Sequence, residues 1–220
     1  MTTTALLLLA DGRFPGGGHA HSGGLEPAVA DGSVHDLASL ESFLAGRLQT
    51  TGEVDAWLAA AACAGADPAA LDAEADARCP SPALRRASRR LGRGLRRAAA
   101  ASWPTLGAIG AVAAEHHAVV QGLVARGAGL TPEDAARLPG ASLLAGAASA
   151  IARLLPVDTA DAMAVAVRLA PVADAVAAAG VALARAPLAE GPAASAPLLE
   201  LRAEDHAAWP ERGEVRLFAS

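Results

Sequence analysis

The chain has 220 residues, of which 53% are hydrophobic, 19% charged and 3% aromatic, with a formal net charge of −5. Alanine supplies 61 residues, and Lys, Asn and Tyr are absent, so all 18 basic residues are Arg. A length of this order buries one sizeable core, the acidic balance excludes a general nucleic-acid binder, and abundant Ala with few β-branched residues excludes an all-β or large α/β fold.

The amino-terminal run Ala5 to Ala10 is far too short to span a bilayer, which needs about 20 apolar residues. It has neither a basic region before it nor a small-residue cleavage site after it, as a secretory signal would. The Ala-rich stretch from Leu169 to Ala186 is interrupted by Pro171, Asp174 and Arg185, and its residues are small rather than lipophilic. These features predict a soluble protein. Cys63 and Cys79 cannot form a disulfide framework or a four-ligand zinc site alone, which fits a reduced, cytoplasmic setting.

From Arg13 to Gly24 the chain carries five glycines together with Phe14, Pro15, His19 and His21. The segment lacks the Lys and Ser/Thr of a phosphate-binding P-loop and the glycine spacing of a dinucleotide site. Its glycines suit close backbone approach or positive φ. His19 and His21 are two apart, so an extended loop turns both imidazoles to one side, where they are candidate nickel or zinc ligands. The competing reading is that they pin the loop by hydrogen bonds. Ser22 with a neighbouring His and Glu26 lacks the nucleophile elbow and oxyanion hole that a hydrolase needs.

Beyond the loop the apolar spacing is helical. Leu37, Leu40, Leu44 and Leu48 form one stripe, and Val54, Trp57, Leu58 and Ala61 the next. Asp67-Pro68, Ser81-Pro82 and Thr131-Pro132 each set a capping side chain before a proline at the first helical position. Asp158 marks a further start. Stops are expected at Gly65, Trp103-Pro104, Gly127 to Gly129 and Gly180, and Pro171 is expected to kink or divide a helix.

Seven arginines between Arg85 and Arg97 fall within an arc of about 140°, with Leu84, Leu91, Leu95 and Ala98 opposite. This helix offers either a solvated outer face or a docking strip for an acidic partner. His116 and His117 are adjacent on a helix, so they diverge by about 100°, one expected toward solvent and one packed. Pro187 to Pro197 reads as a loose linker before a charged tail. The expected architecture is an all-α, single-domain bundle of roughly eight to ten helices. Residues 1–197 form the helical domain with its Gly-rich loop, and residues 198–220 an extended tail ordered by a partner.

Several blocks resemble the urease accessory protein F family. Phe14-Pro15-Gly16-Gly17-Gly18-His19-Ala20-His21-Ser22-Gly23-Gly24-Leu25-Glu26 is similar to its amino-terminal signature, with His19 where the family has Phe. Arg86-Ala87-Ser88 with Leu91-Gly92 and Leu95 resembles a second block, and His117-Ala118-Val119-Val120 with Gly122 a third. Arg216-Leu217-Phe218-Ala219-Ser220 resembles the carboxyl terminus. Ala148 to Pro156 is a weaker match, and Val157-Asp158-Thr159 replaces the usual Leu-Gly-Gln.

The resemblance implies an all-helical scaffold with no active site and no cofactor of its own. It implies assembly with a UreD/UreH-like protein, the nickel GTPase UreG and apo-urease, regulation of GTP-coupled nickel insertion, and homodimerisation. The partner-binding residues expected on this basis are Phe14, Pro15, Gly17, His19, His21, Ser22, Gly24, Leu25, Glu26, Arg86, Ser88, Gly92, His117, Arg216, Leu217, Phe218 and Ser220. Two alternatives are a nickel-binding metallochaperone using His19 and His21, and a diverged relative with other partners.

Overall fold

The computed structural model describes residues 3–16, 18–103, 114–193 and 196–219, apart from the side chain of His19. Among them are ten α-helices and no strand. They are α1 (Thr3–Ala10), α2 (Leu25–Ala30), α3 (Leu37–Leu48), α4 (Thr51–Ala64), α5 (Pro68–Ala77), α6 (Pro82–Ser102), α7 (His117–Gly127), α8 (Pro132–Leu154), α9 (Thr159–Leu183) and α10 (Pro197–Ala208).

The starts follow from local chemistry. Asp67, Ser81, Thr131 and Asp158 each accept a first-turn backbone N–H at their helix N-cap, which satisfies donors the helix cannot use. Thr131 and Asp134 close a reciprocal capping box, as do Asp36 and Ser39. Gly65 ends α4 in the left-handed region. Division of a helix at Pro171 and a stop at Gly180 do not occur in α9. The helix runs unbroken through Pro171 and past Gly180 to Leu183, because apolar packing of Val165, Leu169, Val176 and Val181 against the core holds both halves. The tail is also not extended from Leu198, since residues Pro197–Ala208 are helical.

Helix α4 lies at the centre, packed against α7, α8 and α9. Ala56 and Ala59 to Ala62 are all buried on it, so its Ala-rich surface lets neighbours approach closely. A methyl group at Gly122 of α7 would overlap the Ala59 carbonyl, so only glycine fits that contact. Trp57 is fully buried and has the Arg78 guanidinium 4.6 Å above its ring. Around this centre α3 packs on α9, α6 on α7, α1 on α8, and α10 on α6 and α2.

Candidate functional site

The amino-terminal loop, the start of α7 and the carboxyl-terminal strip converge on one cavity. Gly24 enters α2 at φ 90°, a conformation that glycine adopts without strain. Ser22 accepts the Glu26 N–H at 3.2 Å and steadies this turn. Glu26 is then buried at 5% exposure. One carboxylate oxygen accepts the Leu217 N–H at 2.6 Å. The other accepts the Phe218 N–H at 3.0 Å and faces His206 Nε2 at 2.8 Å. The Ala219 N–H donates to the Ala20 carbonyl. Phe218 enters the main core and lies under Arg153, 4.4 Å from the ring centroid. The two ends of the chain are thus fastened through one carboxylate.

A second set of bonds fixes the start of α7. Asp72 accepts the N–H groups of Glu115 and His116. The Asp76 carboxylate accepts from His116 Nε2 at 3.0 Å, which leaves Nδ1, 3.1 Å away, to accept from the Ser88 hydroxyl in the neutral tautomer. Ser88 Oγ in turn accepts the His117 N–H. This Ser–His–Asp trio is a clamp, because Ser88 is engaged on both sides and the nearby N–H already points at its own oxygen. At the start of α6, two turns before Ser88, the Ser81 hydroxyl and the Ala83 N–H both donate to Glu204, tying α10 to the α6 N-terminus.

The cavity has a volume of about 420 Å³. His21, Ser22, Gly24, Arg86, Ser88, His117 and Arg216 line it. Of the expected residues, Phe14 and Phe218 line an adjoining cavity of about 430 Å³, which shares His21 and His117 with the first. Arg47 and Asp55 also face the first cavity. Burial pushes the Asp55 carboxyl up to about 6, with Arg47 opposing the shift. Burial and the His21 imidazole lower His117 to about 4.

These two groups give stability a composite pH dependence. Between about 6 and its ordinary 3.8, Asp55 binds its proton in the folded chain first, so its contribution to stability rises as pH falls. Between 6.5 and about 4, His117 is protonated first in the unfolded chain, so its contribution falls over the same window. Urea denaturation of Asp55→Asn at pH 7, 6 and 5 is expected to show a steeper loss on acidification than the parent. His117→Asn is expected to show a shallower loss or a gain. Identical slopes in all three proteins would refute the assignment.

The expected residues differ in exposure. Ser22, Gly24, Leu25, Glu26, Gly92 and Phe218 are buried within the chain, Gly92 against the Glu115 carbonyl at the start of α7 and the others around the loop and strip. Of the adjacent histidines, one expected packed and the other toward solvent, His116 is buried and His117 faces the cavity. Pro15 is exposed and Leu217 is 57% exposed. Gly17, Ser220 and the His19 side chain lie outside the described residues, so the His19/His21 pair is not defined. Among the described residues no group of three His, Cys, Asp or Glu could hold a metal ion. The arginine face of α6 is partly used within the chain. Arg85 and Arg89 pair with Asp76, and Arg93 with Glu115. Asp72, Asp76, Glu204 and His206 were not singled out by the sequence, where each reads as an ordinary polar position on a helix.

The UreF family model matches residues 34–170. A urease accessory protein UreF of Mycolicibacterium vanbaalenii is 45% identical over 219 residues, covering 98% of this chain and 97% of that protein. One of Mycobacterium sp. strain JLS is 46% identical over 220 residues, covering 100% and 99%. One of Mycobacterium tuberculosis is 44% identical over 181 residues, covering 80% and 85%. The cavity framed by the loop and the strip therefore sits in a member of a known family: this chain belongs to the UreF family of urease accessory proteins.

Proposed function

We propose that this protein is a cytoplasmic urease accessory scaffold without catalytic chemistry of its own. In this reading it works as a homodimer, binds a UreD/UreH-like protein and a UreG-like GTPase, and regulates GTP-coupled nickel insertion into apo-urease. The observation that carries the reading is how α10 and the strip are displayed. The backbone of 217–219 is fastened to the amino-terminal loop, yet Leu198, Leu201, Val215 and Leu217 are 59%, 70%, 82% and 57% exposed. Four large apolar side chains on a held segment suit a protein partner, because burying each contributes about 1.5–3 kcal/mol.

The test is a pull-down from an extract that makes urease, using the parent and the double variant Leu201→Asp/Leu217→Asp. The parent is expected to retain a UreD/UreH-like protein, and the variant to lose at least about tenfold in affinity with unchanged helicity. Recovery of no urease-maturation protein by the parent would overturn the scaffold reading. Equal recovery by both proteins would overturn the assignment of the surface.

A further inference from the structure

Two helix faces meet at the second cavity, the one of about 430 Å³. His117, Gln121 and Val124 follow at steps of four and three along α7, and Leu138, Ser142 and Ala145 do the same along α8, so each set shares one face. Leu9 of α1 and Leu95 of α6 add apolar wall. Phe14 of the loop and Phe218 of the strip border the same space.

One polar atom in this wall is unsatisfied. Gln121 is 5% exposed. Its Nε2 donates to Ser142 Oγ at 3.3 Å, but its Oε1 has no hydrogen-bond partner. A buried acceptor is costly to leave without a donor. The space is far larger than one bound water needs, and leucine and valine walls with a single aimed polar group suit an organic ligand. Nothing here favours a charged one. Burial keeps His117 neutral at pH 7, and Asp11 and Arg13, which also border the cavity, pair with each other.

We propose that this cavity binds a small neutral molecule with an apolar body and one hydroxyl group, a phenol or an alcohol, whose O–H is donated to Gln121 Oε1. Leu9, Leu95, Val124 and Leu138 take the apolar body out of water. Because Phe218 borders the cavity, a bound molecule favours the arrangement in which the strip is docked. Occupancy is thereby linked to the display of Leu217.

The probes are phenol and anisole, which differ by the methyl group that removes the donor. NMR titration of the full chain gives both affinities. The readout is their ratio, compared between the parent and Gln121→Met, because each probe's own transfer from water cancels in that comparison. The preference for phenol is expected to be about fivefold greater in the parent, the share of one net hydrogen bond. Ala145→Phe, which adds a ring within the cavity and leaves Gln121 in place, is expected to weaken both probes at least about tenfold. Phenol at about ten times its Kd is expected to slow trypsin cleavage after Arg216 about tenfold in the parent. A free arginine peptide checks the protease, and circular dichroism checks that each variant keeps its helices.

A parent that binds neither probe overturns the proposal in favour of a water-filled cavity. An equal ratio in the parent and Gln121→Met overturns the role of Gln121. Benzoate or benzylammonium binding as tightly as phenol overturns the neutral class. Undiminished binding by Ala145→Phe overturns the location, and undiminished cleavage with phenol bound overturns the link to the strip. The inference does not rest on the scaffold reading, and none of these results bears on whether the pull-down retains urease-maturation proteins.

Discussion

Gly92→Ala is expected to destabilise the chain by about 3 kcal/mol, the upper range for forcing a methyl group into a filled space. The new carbon would overlap the Glu115 carbonyl and crowd the His116 carbonyl carbon. Neither can yield easily. The Glu115 and His116 N–H groups are both held by Asp72, and the His116 ring is held by Ser88 and Asp76. Relief must come from α6 moving away from α7, which opens the cavity wall at Ser88 and His117. Urea denaturation checks the magnitude, with Gly46→Ala as the control. Gly46 lies on the exposed side of α3 with no neighbour within 4 Å of a new methyl, so alanine there is expected to stabilise by about 0.5–1 kcal/mol. Equal effects at the two sites would refute the close-contact account.

The sequence makes legible those features whose cause is local. Ser81-Pro82 and Thr131-Pro132 declare helix starts because cap and proline act within four residues. The stripe of Leu40, Leu44 and Leu48 declares a buried face because period and burial coincide. Pro171 misleads for the opposite reason. Its local cost to a helix is real, but apolar contacts on both sides of it outweigh that cost. The site is harder to read. Glu26 looks like one more carboxylate in a motif. Nothing local says that its partners are His206 and two backbone N–H groups some 190 residues away. The resemblance places Glu26 and Arg216-Leu217-Phe218 in two distant blocks, and only folding shows that these blocks bind one another. The arginines of α6 teach the same point. Their 140° arc is visible from spacing, but the Asp76 that engages Arg85 and Arg89 lies on α5 with no sequence mark.

Glu26→Ala is expected to cost about 3–5 kcal/mol, the range for removing one partner from a buried charged network. Three donors lose their acceptor together, and an unsatisfied buried group costs about 1–3 kcal/mol. His206 is 2% exposed and the Phe218 N–H lies inside the core, so water cannot take the place of the carboxylate without opening the strip. The loss should therefore appear first as release of the carboxyl terminus. Limited trypsin digestion reads this directly, because Arg212 and Arg216 flank the strip. Cleavage there is expected to be at least about tenfold faster in Glu26→Ala than in the parent. Glu26→Gln should fall between, since its amide oxygen still accepts one N–H while its NH₂ group opposes the other; it also preserves the test if the Ala variant does not fold. Cleavage at the parental rate in both variants would show that Phe218 is held by apolar packing alone. A released strip with the remaining helices intact would separate two roles that the fold combines, because Leu217 is displayed only while its own N–H is held by Glu26.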